Sequence, residues 1–168
     1  EDALGERDEL GAGNFAIVYR LREFTLPELP GVPLVYKKYK KKTRQPPVSV
    51  FGLQQLVDMR EDWEPERRGR IDGAFNWPVR VIVDAGTGAA GVLLPLLHPS
   101  YFGTWTSSYG ETKSDQNQAQ KLIATKQWCN SHNVHFASLE QRYQLCYRLV
   151  QAMGMLHKSS VIYGDVSL

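Results

Sequence analysis

The sequence predicts an α+β fold on three observations. Five short β-type runs lie within residues 1–97, helix-type runs interrupt them after the third, and one long amphipathic stretch occupies 138–157. At 168 residues the chain is long enough for one core or for two small lobes sharing a cleft. Hydrophobic residues make up 42% and charged residues 23%, with a formal charge of +2. That balance is ordinary for a globular chain and offers no broad basic surface for nucleic acid. Cys129 and Cys146 form no CxxC and no disulfide framework, which fits a reducing compartment. No apolar run approaches the roughly 18 residues of a membrane span, and the opening EDALGERDEL is acidic, unlike the basic start of a signal peptide. These features predict a soluble, cytoplasmic protein.

The first two strands come from DELGAGNFAIVYRLREF. Ile17, Tyr19 and Leu21 alternate with Val18, Arg20 and Arg22 after a glycine pair, which reads as strand, tight turn, strand. TLPELPGVP carries three prolines and a glycine and is a loop; LVYKKYKK after it alternates again as a third strand. From Val48 to Arg70 the spacing turns helical, with Leu53, Leu56, Val57 and Arg60 on one face, and Pro65 separates a second short helix, ERRGRIDGAF. WPVRVIVDAGTGAAGVLLPLL supplies two more strands around a glycine-rich turn, the second ended by Pro95. Residues 103–137 are rich in Ser, Thr, Gln, Asn and Gly and read as a linker or insertion, with helical spacing only in AQKLIATKQW. The long helix follows. Ser138 is placed to cap it, Gln141 sits at the capping-box position, and Leu139, Tyr143, Cys146, Leu149, Val150, Met153 and Leu156 form its apolar stripe. It runs into SSVIYGDVSL, whose Val161, Ile162 and Tyr163 suit a short strand.

Three features carry candidate chemistry. Gly11 and Gly13 fall in the turn of the first hairpin, where glycine lets the backbone approach a ligand and turn N–H groups toward phosphate oxygens; many such turns do nothing more than turn. Lys37 is bracketed by Val35 and Tyr39 on one face of the third strand. A lysine facing a cleft needs a partner or an anion, although the adjoining Lys38, Lys40, Lys41 and Lys42 equally suit a solvated edge strand. Asp165 follows an apolar run and Gly164, as an exposed carboxylate on a buried scaffold does, and as an ordinary turn aspartate does.

Taken in order, these features resemble the protein kinase superfamily: glycine hairpin, third-strand lysine, helix, two strands, a short connector, and a long helix ending in MLH before an aspartate. In MGMLHKSSVIYGDVSL, His157 and Asp165 stand eight residues apart, as in the kinase catalytic stretch. The resemblance implies a kinase-like fold: a five-stranded antiparallel N-lobe sheet with an inserted helix and a hinge over 1–97, then an insertion and the start of a helical C-lobe over 98–168. It implies a nucleotide site of Gly11, Ala12, Gly13, Val18, Val35, Lys37, Leu94, Pro95 and Leu97. Lys37 would contact the α- and β-phosphates. Leu94 would be the gatekeeper, Pro95 would offer a carbonyl to adenine, and Leu97 would supply an N–H. Tyr163-Gly164-Asp165 stands where kinases carry His-Arg-Asp, which makes Asp165 the catalytic carboxylate. The implied cofactors are ATP and Mg²⁺, with the metal ligands expected beyond residue 168 and none within 1–168, and the implied reaction is phosphoryl transfer to a protein Ser/Thr hydroxyl.

The departures from the pattern define the alternatives. Ala16 replaces the third loop glycine. Gly164 replaces the arginine that binds an activation-loop phosphate, and YGDVS is similar to the His-Gly-Asp of small-molecule phosphotransferases such as aminoglycoside and choline kinases. Arg68 occupies the usual place of the helix glutamate that pairs with the lysine, which leaves Glu66, Glu61 and Asp58 as candidate partners, Glu66 first. WP, LLP and YGDVS together are similar to divergent bacterial kinase-like proteins, and a pseudokinase that binds nucleotide or a partner without catalysis is the other reading.

Overall fold

A computed structural model of the chain describes residues 2–40, 47–84, 88–116, 121 and 123–162. The fold is α+β and divides into two compact units, Glu1–Leu97 and His98–Leu168. No helix among the described residues is long and apolar enough to cross a membrane.

The first unit is built on a five-stranded antiparallel sheet: β1 (Arg7–Ala12), β2 (Ala16–Leu21), β3 (Leu34–Tyr39), β4 (Arg80–Asp84) and β5 (Gly88–Pro95), in the order β1-β2-β3-β5-β4. β3, with the lysine, is therefore central. Strand alternation decides what each side buries. Leu21, Leu34, Tyr36 and Leu93 fall on one face and join Leu4, Leu26 and Val79 in the core, with Tyr19, Phe24, Leu29, Val32 and Ile82 packed against them. Leu26 is only 2% exposed, so the proline-rich loop between β2 and β3 serves as a lid for this face. Tyr19 stacks on Tyr36 at 6.4 Å, and the Arg7 guanidinium lies 5.3 Å above the Tyr19 ring.

Helices α1 (Val50–Asp62) and α2 (Pro65–Ala74) connect β3 to β4. Ser49 caps α1 by accepting from the Gly52 N–H at 3.1 Å, and Pro65 begins α2 where a missing N–H costs nothing. Arg60 shares the buried face of α1 with Val57 and is itself buried. Its guanidinium donates to both carboxylate oxygens of Asp72 on α2, at 2.9 and 2.7 Å. The Trp77 indole N–H donates to the Leu56 carbonyl at 2.8 Å and its ring meets Trp63 at 5.3 Å, which anchors the helix pair at the start of β4.

In the second unit, the stretch 103–137 that reads as a linker or insertion carries regular structure of its own. β6 (Phe102–Thr106) and β7 (Thr112–Gln116) form an antiparallel hairpin, and the short helix α3 (Lys126–Ser131) is capped by Thr125. Trp128 stacks on His132 at 4.2 Å, with Trp105 of β6 on the same imidazole at 6.0 Å. A polar hairpin lacks the apolar alternation by which strands are recognised, and here two tryptophans and a histidine pin it to α3 instead.

Helix α4 (Leu139–Lys158) carries the full capping box: the Gln141 N–H donates to the Ser138 hydroxyl at 3.2 Å and the Ser138 N–H to the Gln141 side chain at 2.8 Å. Its apolar stripe is largely exposed, with Leu139, Tyr143 and Val150 each above two-thirds exposed and Leu156 the buried residue. The helix ends in a Schellman motif, the Val161 N–H reaching the Leu156 carbonyl and the Ser160 N–H the His157 carbonyl, both at 3.0 Å. Ser160 therefore sits in the left-handed region, at φ 57°, which glycine adopts without strain. Ser160→Gly is expected to stabilise the protein by about 0.5–1 kcal/mol, read as a higher urea midpoint at unchanged slope. Val161 and Ile162 are irregular backbone, and the rest of the expected closing strand lies outside the described residues.

Candidate functional site

The candidate site starts from strand register. Lys37 lies opposite Val18 on β2 and Val92 on β5, and Val35 lies opposite Leu94. Cross-strand partners share a face, as do residues two apart on a strand. Val18, Val35, Lys37 and Leu94 therefore share the sheet face opposite the Tyr36 core. Val35 is buried, Val18 and Leu94 are half-buried, and Lys37 is exposed. Lys38 faces the other way, opposite Ile17 and Gly91.

The glycine hairpin stands at one end of this face. β1 bulges between Glu9 and Gly11, and the Gly13 N–H closes the turn onto the Ala16 carbonyl at 2.9 Å. The Lys40 N–H holds the Phe15 carbonyl at 2.9 Å, so the tip is tied to the end of β3. A Cβ at Gly11 would meet nothing within 4 Å, and one at Gly13 would meet only the Ala16 carbonyl, at 3.9 Å. Neither glycine has a positive φ. The fold itself would accept side chains at both positions. Gly91 is the opposite case, since its Cβ would overlap the Lys37 carbonyl.

At the other end of the face, the Leu96 N–H donates to the Pro33 carbonyl at 2.8 Å. That bond makes Leu34 and Pro95 a pair that exchanges no hydrogen bonds, so the N–H missing at Pro95 is not one the ladder to β3 uses. Leu97 is the first residue after β5 whose N–H has no acceptor among the described residues. The sheet face thus runs from the β5 connector, where the Leu97 N–H has no acceptor among the described residues, to an open glycine turn, with apolar side chains and an ammonium group between.

Among the described residues no carboxylate forms an ion pair with Lys37. Glu66, exposed on α2, pairs with Arg70 one helical turn on, at 3.4 Å. Glu61 is exposed at the end of α1, and Asp58 accepts from Gln54 at 2.8 Å. Arg68 donates to the Glu61 and Trp63 carbonyls and so closes the C-terminus of α1. Tyr163, Gly164 and Asp165 lie outside the described residues. No group of three or more His, Cys, Asp or Glu side chains gathers among the described residues. Tyr39, two residues past Lys37, shares the candidate face and was signalled by the same alternation that singled out Val35 and Lys37.

No protein-family model, no curated protein and no solved structure matches the chain.

Proposed function

We propose that the chain is a protein kinase-like domain that binds ATP on the Val18–Lys37–Leu94 face and transfers its phosphoryl group to a protein Ser/Thr hydroxyl. The observation that carries the reading is the pairing of an exposed lysine, central on an apolar strand face, with a hairpin whose glycines the fold does not require. ATP would supply the phosphoryl group. Val18, Val35 and Leu94 would cover the base, the Leu97 N–H would bond its edge, and Lys37 would offset phosphate charge under the open turn at Gly11, Ala12 and Gly13. The central position of β3 in the order β1-β2-β3-β5-β4 supports the reading, since it places the hairpin and the β5 connector on either side of the lysine strand. Asp165 stands as the proposed catalytic carboxylate on the sequence alone, and Mg²⁺ is expected for this chemistry without an assigned ligand here.

That no carboxylate among the described residues pairs with Lys37 favours a second reading, a pseudokinase that retains the nucleotide face and acts through binding. Calorimetric titration with ATP tests what the two share. Lys37→Met keeps length and packing but removes the charge, and should weaken ATP binding about ten-fold or more. Lys38→Met, on the opposite face, should leave it within about two-fold. Absence of ATP binding by the wild-type protein, or equal loss in both variants, would overturn the nucleotide reading. Phosphoryl transfer to a Ser/Thr peptide pool then separates kinase from pseudokinase.

A further inference from the structure

Resting on the nucleotide reading of the same face, we propose that the Tyr39 hydroxyl is a second phosphate-binding group beside Lys37, donating a hydrogen bond to a phosphate oxygen of a nucleoside di- or triphosphate. The direction of β3 is the first support. Val35 and Leu94 lie toward the Pro95 end, Lys37 comes next, and Tyr39 lies opposite Ala16 beside the glycine turn. Successive same-face residues stand about 7 Å apart along a strand. A nucleotide laid with its base on Val35 therefore carries its phosphates past Lys37 toward Tyr39.

The local register sets the neighbour of the ring. Because the Lys40 N–H bonds the Phe15 carbonyl, Ala16 and Tyr39 are a non-exchanging pair, the kind in which facing side chains come closest. Ala16 is buried and stands directly across from Tyr39 on the same face, which suits the alanine at the third loop-glycine position to packing beside the ring. The phenol is half-buried and its hydroxyl has no hydrogen-bond partner among the described residues. Burial holds its pKa above the ordinary phenol value, so near neutral pH it is a protonated donor. A protonated O–H next to an ammonium matches an anionic oxygen and has little to offer a purine base.

Tyr39→Phe removes the oxygen and keeps the ring on Ala16, so an unchanged melting temperature is expected. Binding of ATP and ADP should each weaken about five-fold or more, while adenosine, measured by competition, should bind as it does to wild type. Unchanged ATP and ADP affinity would overturn the proposal while leaving the nucleotide reading intact. Equal weakening of adenosine would overturn it too, by assigning Tyr39 to packing. Failure of the wild-type protein to bind either nucleotide would instead sink the reading on which it rests.

Discussion

Gly91→Ala should lower the stability of the protein by about 3 kcal/mol, at the upper end of what one inserted methyl group costs. The added Cβ would overlap the Lys37 carbonyl and stand 2.7 Å from a ring carbon of Tyr36 and 3.0 Å from the Lys37 carbonyl carbon. None of these atoms can swing away. The carbonyl belongs to the central strand and Tyr36 is fully buried in the core. Relief requires β3 and β5 to separate where Lys37 is held, so the nucleotide binding proposed for this face should weaken together with stability. Gly11→Ala and Gly13→Ala are the controls: with open space around both positions, they should leave the urea midpoint nearly unchanged. A Gly91→Ala protein with the wild-type midpoint would mean that the strands part at little cost, and that β3 is not held as the register indicates.

That contrast shows what the sequence discloses and what it hides. Lys37, Val35 and Val18 were legible because a strand has a period of two, and residue identity along it already states the face. Gly11, Gly13 and Gly91 look alike as letters. Only the three-dimensional approach of β3 separates a glycine demanded by packing from two that the packing ignores. The hairpin of β6 and β7 was not legible because its strands are polar and its anchor to α3 is the contact of Trp105 with His132, far apart in sequence. The partner of Lys37 was sought through the resemblance, which puts Arg68 at the usual place and leaves Glu66, Glu61 and Asp58 as candidates. Among the described residues Glu66 pairs with Arg70 one turn along its own helix, and the acid that meets a buried guanidinium is Asp72. The cue for Asp72 was in plain view. Arg60 shares an apolar face with Leu53, Leu56 and Val57, and a guanidinium on such a face needs a carboxylate.

Asp72→Ala should accordingly be among the most damaging changes on the helices, by about 2–3 kcal/mol. The Arg60 side chain is 8% exposed and that of Asp72 35%, so the pair is partly desolvated, and the charge left behind is the buried one. Asp72 accepts two of the guanidinium's hydrogen bonds, from Nε and from a terminal nitrogen, and alanine accepts none. The figure sits below the range for fully buried pairs because water reaches the carboxylate side. The mechanism makes a second, opposite-signed expectation. Arg60→Met in the Asp72→Ala background removes the uncompensated charge while keeping an apolar chain of similar reach, and should recover more than half of the loss. A double-mutant cycle read by urea unfolding distinguishes the causes. If the double variant were as unstable as the sum of the two single variants, the sites would be independent, and lost packing at each position would account for the damage in place of a charge stranded between α1 and α2.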